Sequence, residues 1–236
     1  MAGAAEEEED SGPLVDWLRA RGGTVVGARV GPVPGAGRRG VVATRALPQH
    51  HVLCAVPAAL ALTAASSAAA AELERFSLGL DSAGSPRLAR EALVLAVLAE
   101  EAAGTSSTWH GYLAALPGLA SGALRCPELW SRADRALLRG TSVLEDLVEP
   151  VDDEVELPCM TREHWENVAA PFVAAFPRLG LRAGKRGFRA YLRAVALVSG
   201  YSFSLGEGGS IQAMVPFWVS SVSRRRRRGR QEPPGD

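Results

Sequence analysis

The spacing of hydrophobic positions along this chain changes from helical to strand-like near Thr24, returns to helical after Leu62, and becomes strand-like again beyond Tyr201. A first helix is predicted from Ser11 and Pro13, with Leu14, Trp17 and Leu18 on one face and a stop at Gly22-Gly23. It reads as short and surface-lying. Thr24-Val25-Val26, Arg29-Val30, Gly40-Val41-Val42-Ala43-Thr44 and Val52 to Pro57 are β-branched runs separated by a Pro/Gly turn at 31–37, which predicts a small antiparallel β region. Alanine then rises, and helices are expected over 66–78, 87–102 and 109–115. Helical spacing continues over 127–149, with Leu129, Trp130, Ala133, Leu137 and Leu138 facing inward, and over 161–176, with Trp165, Val168, Phe172 and Phe176. A last helix over 186–199 carries Phe188, Tyr191, Leu192, Val195 and Val198. Tyr201-Ser202-Phe203, a glycine-rich loop and Ala213 to Phe217 then restore the β pattern. The order predicts an α+β fold in which a helical stretch separates two β segments.

The composition is that of an ordinary globular chain: 236 residues, 47% apolar and 22% charged, with 26 basic and 26 acidic side chains. The balance hides two charged ends, acidic at Glu6 to Asp10 and basic at Arg224 to Arg230. Residues 1–12 and 219–236 therefore read as disordered tails. The longest apolar run, Ala92 to Ala99, ends at Glu91 and Glu100 and falls far short of the roughly 20 residues that span a bilayer, so no membrane partner is expected. The N-terminus is acidic where an export signal would be basic and then apolar. Cys54, Cys126 and Cys159 are widely spaced and contain no CxxC pair, which predicts neither a disulfide framework nor a zinc site and fits a reducing compartment.

Few residues carry chemistry on their own. Gly35-Ala36-Gly37-Arg38-Arg39-Gly40 has the glycines that let backbone N–H groups approach a ligand, although a hairpin turn gives the same letters. His50, His51, His110 and His164 lack metal-ligand spacing and read as surface or capping residues. Gly208-Gly209-Ser210-Ile211-Gln212 does not match a nucleophile elbow. Arg224 to Arg228 has the charge to attract phosphate or an import receptor, but its abrupt onset favours a non-native tail, and direct nucleic-acid binding is not expected.

Gly37 to Arg45 followed by Val52 to Pro57 resembles the opening strands of Rubisco-large-subunit-methyltransferase-like SET proteins. Trp109 to Pro117, Leu138-Arg139-Gly140-Thr141, Val195 to Phe203 and Met214-Val215-Pro216-Phe217 follow in that family's order, and the likeness runs from about Trp17 to Phe217. The resemblance implies a split SET β fold, its N-terminal part at 13–63 and its resumption at 201–218, interrupted by a helical insert at 64–200. It implies a protein-lysine N-methyltransferase using S-adenosyl-L-methionine, without metal, in the nucleus, on a protein of the transcription-factor or histone class. By position, Gly37, Arg38, Arg39 and Gly40 would hold the methionine end of the cofactor, Arg90 falls near a cofactor contact, and Tyr201 matches the tyrosine lining the target-lysine channel. Arg38 departs from the family pattern, which has a second glycine there, so an insertion or a bulge is expected. After Phe217 the family continues to an Asn-His pair, a later catalytic tyrosine and a helical substrate-binding domain. None of these is found in Trp218 to Asp236, which predicts an incomplete, inactive form, or alternatively a non-catalytic interaction module.

Overall fold

The computed structural model describes residues 12–33, 38–77, 86–124, 126–141, 160–206 and 211–217. Helix α1 (Pro13–Arg19) starts with its proline in the first turn after Gly12. It is not surface-lying: Val15 and Leu18 are fully buried. The burial of α1 has a steric origin in a residue far along the chain. Gly111 has no Cβ, and the Trp17 ring occupies the space where one would project, so α1 can seat its apolar stripe on the helix that carries Gly111. Strand β1 (Thr24–Val25) pairs antiparallel with β4 (Cys54–Ala55). Strands β2 (Ala28–Val33) and β3 (Arg38–Ala43) form a hairpin in unbroken register from Ala28↔Ala43 to Val33↔Arg38.

The helical layer contains α2 (Ala70–Ser77), α3 (Pro86–Ala103), α4 (His110–Ala115), α5 (Arg132–Ala136), α6 (Met160–His164), α7 (Ala170–Ala175) and α8 (Gly184–Tyr201). Helix α3 is its axis. Leu93 through Ala99 are all buried, packed in one cluster with Phe172, Tyr191, Val195 and Val198. Burial of each Leu or Val side chain stabilises by about 1.5–3 kcal/mol.

The carboxylates that flank this run are buried as well. Glu91 accepts a 2.8 Å hydrogen bond from the Tyr191 hydroxyl and lies 3.7 Å from His164 Nδ1. Glu100, 1% exposed, accepts from Ser67 Oγ at 2.9 Å, Ala68 N–H at 2.6 Å and Ser107 Oγ at 2.6 Å. Three donors replace the water that a buried carboxylate loses. A turn of π-helix, Trp165–Ala169, joins α6 to α7.

The helical spacing over 127–149 is only partly realised. A 3-10 turn (Pro127–Leu129) and α5 are followed by turns, Gly140 has φ 77°, and Leu137 is 81% exposed instead of facing inward. Residues 142–149 lie outside the described residues. No helix among the described residues is long and apolar enough to cross a membrane.

The chain then returns to β structure in a second hairpin, β5 (Ser202–Leu205) with β6 (Ile211–Met214). Leu62 and Met214 exchange two backbone hydrogen bonds of 2.9 Å, so the start of the helical stretch and its β sequel meet edge to edge. Phe217 completes the contact in a second cluster with Val15, Leu18, Val25, Ala28 and Leu60. The architecture is thus α+β, with two β segments far apart in sequence brought together around a helical layer.

Candidate functional site

Of the predicted cofactor residues, Gly37 lies outside the described residues. Arg38 and Arg39, expected in a loop, are instead the opening of β3, paired with Val33 and Pro32. The register is one-for-one, so the described ladder accommodates Arg38 without a bulge. Gly40 is buried and stands opposite Gly31, whose own open side is filled by the Arg29 guanidinium.

Arg90 is held by a different part of the fold. Its Nη2 donates to Glu128 Oε1 at 2.9 Å and to Ser199 Oγ at 2.5 Å, and Ser199 Oγ donates to the same carboxylate oxygen at 2.6 Å. This triad ties α3, the Pro127–Leu129 turn and the last turns of α8 together. Next to it, burial and the Glu128 carboxylate push the Cys126 thiol up to about 12. Cys54, half-buried, is raised by desolvation, and both thiols are free. Cys159 lies outside the described residues.

Tyr201 ends α8, two residues beyond Ser199, and packs partly buried against the main cluster. Burial, and then the neighbouring Tyr201 phenol, raise the Tyr112 hydroxyl above the usual tyrosine range. Tyr112 stacks on Trp17 with ring centroids 6.2 Å apart. Both polar tips, Tyr112 Oη and Trp17 Nε1, are buried with no hydrogen-bond partner among the described residues. Unpaired donors of this kind are uncommon in cores. Sequence reasoning named Tyr201 alone. Tyr112 stands in Trp109 to Pro117, but nothing in its spacing told that its ring would face α1.

The structure therefore links Arg90 and Tyr201 through the end of α8, and it leaves Gly40 in the β2–β3 hairpin. His164 stands beside Glu91, contrary to a purely surface role, whereas His50 and His110 are exposed. No group of three His, Cys, Asp or Glu among the described residues could hold a metal ion.

The chain matches no protein-family model and no curated protein. A cleft of about 300 Å³ lies away from all of the predicted residues, between α3, Trp165, Val173 and the start of α8. Its wall includes Glu101, which is ion-paired with Arg193.

Proposed function

We propose that this chain is built on the plan of an S-adenosyl-L-methionine-dependent protein-lysine N-methyltransferase of the SET class, acting on nuclear proteins of the transcription-factor or histone class. The observation that carries the reading is the junction at Tyr201. Tyr201 follows the helical stretch, opens the β segment that returns to Leu62, and lies beside the Tyr112–Trp17 pair, whose two polar tips have no hydrogen-bond partner among the described residues. Aromatic faces suit the apolar stem and cationic head of a lysine. In the reaction a C–N bond forms at the deprotonated amine as the methyl–sulfonium C–S bond breaks, and catalysis of this kind comes chiefly from positioning.

The residues fit the cofactor unevenly. Buried Gly40 has no side chain to obstruct a ligand at the hairpin. Arg90 is better read as a structural clamp on α8, because its guanidinium is already engaged by Glu128 and Ser199.

Calorimetric titration of S-adenosyl-L-methionine into the folded chain tests the reading. Saturable micromolar binding, weakened by Gly40→Val, is expected. A folded chain that takes up no cofactor would overturn it in favour of a non-catalytic interaction module, a reading favoured by Lys185, Arg186 and Arg189 on α8, which are exposed and pair with no carboxylate among the described residues.

A further inference from the structure

Between Pro177 and Gly206 the chain carries six cations (Arg178, Arg182, Lys185, Arg186, Arg189 and Arg193) and no carboxylate, although its overall charge is zero. Two of the six are neutralised, Arg178 by Glu72 and Arg193 by Glu101. Arg182, Lys185, Arg186 and Arg189 are exposed and pair with no carboxylate among the described residues. Three of them stand in the first turns of α8, where the helix dipole is already positive. The first turn holds no acidic residue, and Ala183 at the N-cap supplies no side-chain acceptor. The positive potential is thus concentrated on one short face and opposed by nothing on that helix.

The cleft opens beside this face. Leu181, Arg182, Gly187 and Ala190 contribute to its wall from the basic segment, and Trp165 and Val173 close it from the π turn and α7. A cationic stripe bordering a partly apolar recess is a surface with two chemistries at fixed separation.

We propose that this face docks an acidic polypeptide segment of a partner protein, with carboxylates along Arg182, Lys185, Arg186 and Arg189 and one apolar side chain in the recess. A peptide suits it better than a nucleic acid. The recess is walled in part by Leu98, Trp165, Val173 and Leu181, which suit an apolar side chain of a peptide better than a sugar–phosphate backbone. The proposal does not rest on methyl transfer, and its test contains no cofactor, so either reading can fail without the other.

The test is fluorescence anisotropy of the full chain with a labelled peptide of glutamates around one leucine. Saturable binding is expected, weaker at high salt and weakened about tenfold or more by the combined reversal R182E, K185E, R186E and R189E. Replacing the peptide's leucine by serine is expected to weaken it further. These four side chains are exposed, so circular dichroism of the variant should be unchanged. Binding that ignores the charge reversal overturns the proposal, and so does tighter binding of a single-stranded DNA oligonucleotide. The chain's own acidic stretch from Glu145 to Glu156 is the rival occupant. If neutralising its carboxylates strengthens peptide binding about tenfold or more, the face is filled from within the chain and the proposal falls.

Discussion

At the scale of single residues, the chemistry of this protein is set by what surrounds each titratable group. The Cys126 thiol, pushed up to about 12 by burial and Glu128, holds on the order of a thousandfold less thiolate at pH 8 than an ordinary cysteine. Peptide-level mass spectrometry should find it the slower of the two described cysteines toward iodoacetamide, with Glu128→Gln raising its rate several-fold. Equal rates at Cys54 and Cys126 would refute the stronger shift at Cys126, and an unchanged rate in Glu128→Gln would refute the part given to Glu128. Because the folded thiol titrates above its unfolded value, its contribution to stability is intact below about pH 8.5 and is lost as pH rises toward the folded value. Glu72 behaves in the opposite sense. The Arg178 guanidinium beside it holds its carboxyl below the usual range, so the pair stabilises above the unfolded carboxyl value of about 4.3 and fades as pH falls through the folded one. Arg178→Ala is expected to flatten the acid limb of a plot of melting temperature against pH between about 5 and 3. An unchanged limb would mean that the pair contributes nothing to folding.

At the scale of elements, helix α8 contains two glycines whose replacement by alanine should have opposite signs. Gly200 is exposed, with nothing near its missing Cβ. Gly200→Ala should therefore stabilise by about 0.5–1 kcal/mol through helix propensity. At Gly187 the new Cβ would collide with the Arg182 carbonyl and stand 2.7 Å from Trp165 Cη2. The same substitution there should cost about 1–3 kcal/mol. Urea unfolding of both variants decides it, and stabilisation at Gly187 would contradict the close packing of the π turn on α8.

This pair also marks how far the sequence is legible. The spacing of Tyr191, Val195 and Val198 predicts α8 well because a helix with one buried face must repeat every three to four residues. The same spacing over Trp165, Val168 and Phe172 predicts a helix but not its π turn, since one extra residue per turn leaves the apolar pattern nearly intact. Leu137 misleads because periodicity reports what a helix would bury, not whether a neighbour is there to bury it against. The candidate site is less legible than the fold. Tyr201 was marked by its place in a motif, whereas Trp17 and Tyr112 become its neighbours only through a packing contact that Gly111 permits. The partners of Arg90, Glu128 and Ser199, are brought to it across long stretches of chain that no local pattern connects.

At the scale of the whole molecule, the described residues hold two hydrophobic clusters joined at few points. Trp17 packs against both, and the Leu62–Met214 backbone pair lies where the β segments meet. Phe217 belongs to the smaller cluster only, at 7% exposure and with φ 71°, a conformation that a bulky residue adopts at a cost. Truncating it leaves that cost in place and removes the ring that Val15, Leu18, Val25 and Leu60 surround. Phe217→Ala should therefore destabilise by about 3 kcal/mol or more, and the loss should fall unevenly. Hydrogen exchange is expected to quicken at the amides of α1 and β2 while those of Leu93 to Ala99, in the larger cluster around α3, keep most of their protection. If both regions lose protection equally, the clusters unfold as one unit, and the β segments cannot be loosened without melting the helical layer. If they separate, the β layer around Phe217 is the weaker part of the molecule. The edge-to-edge contact of Leu62 with Met214 is then what couples the helical layer to the surface where Tyr201 emerges.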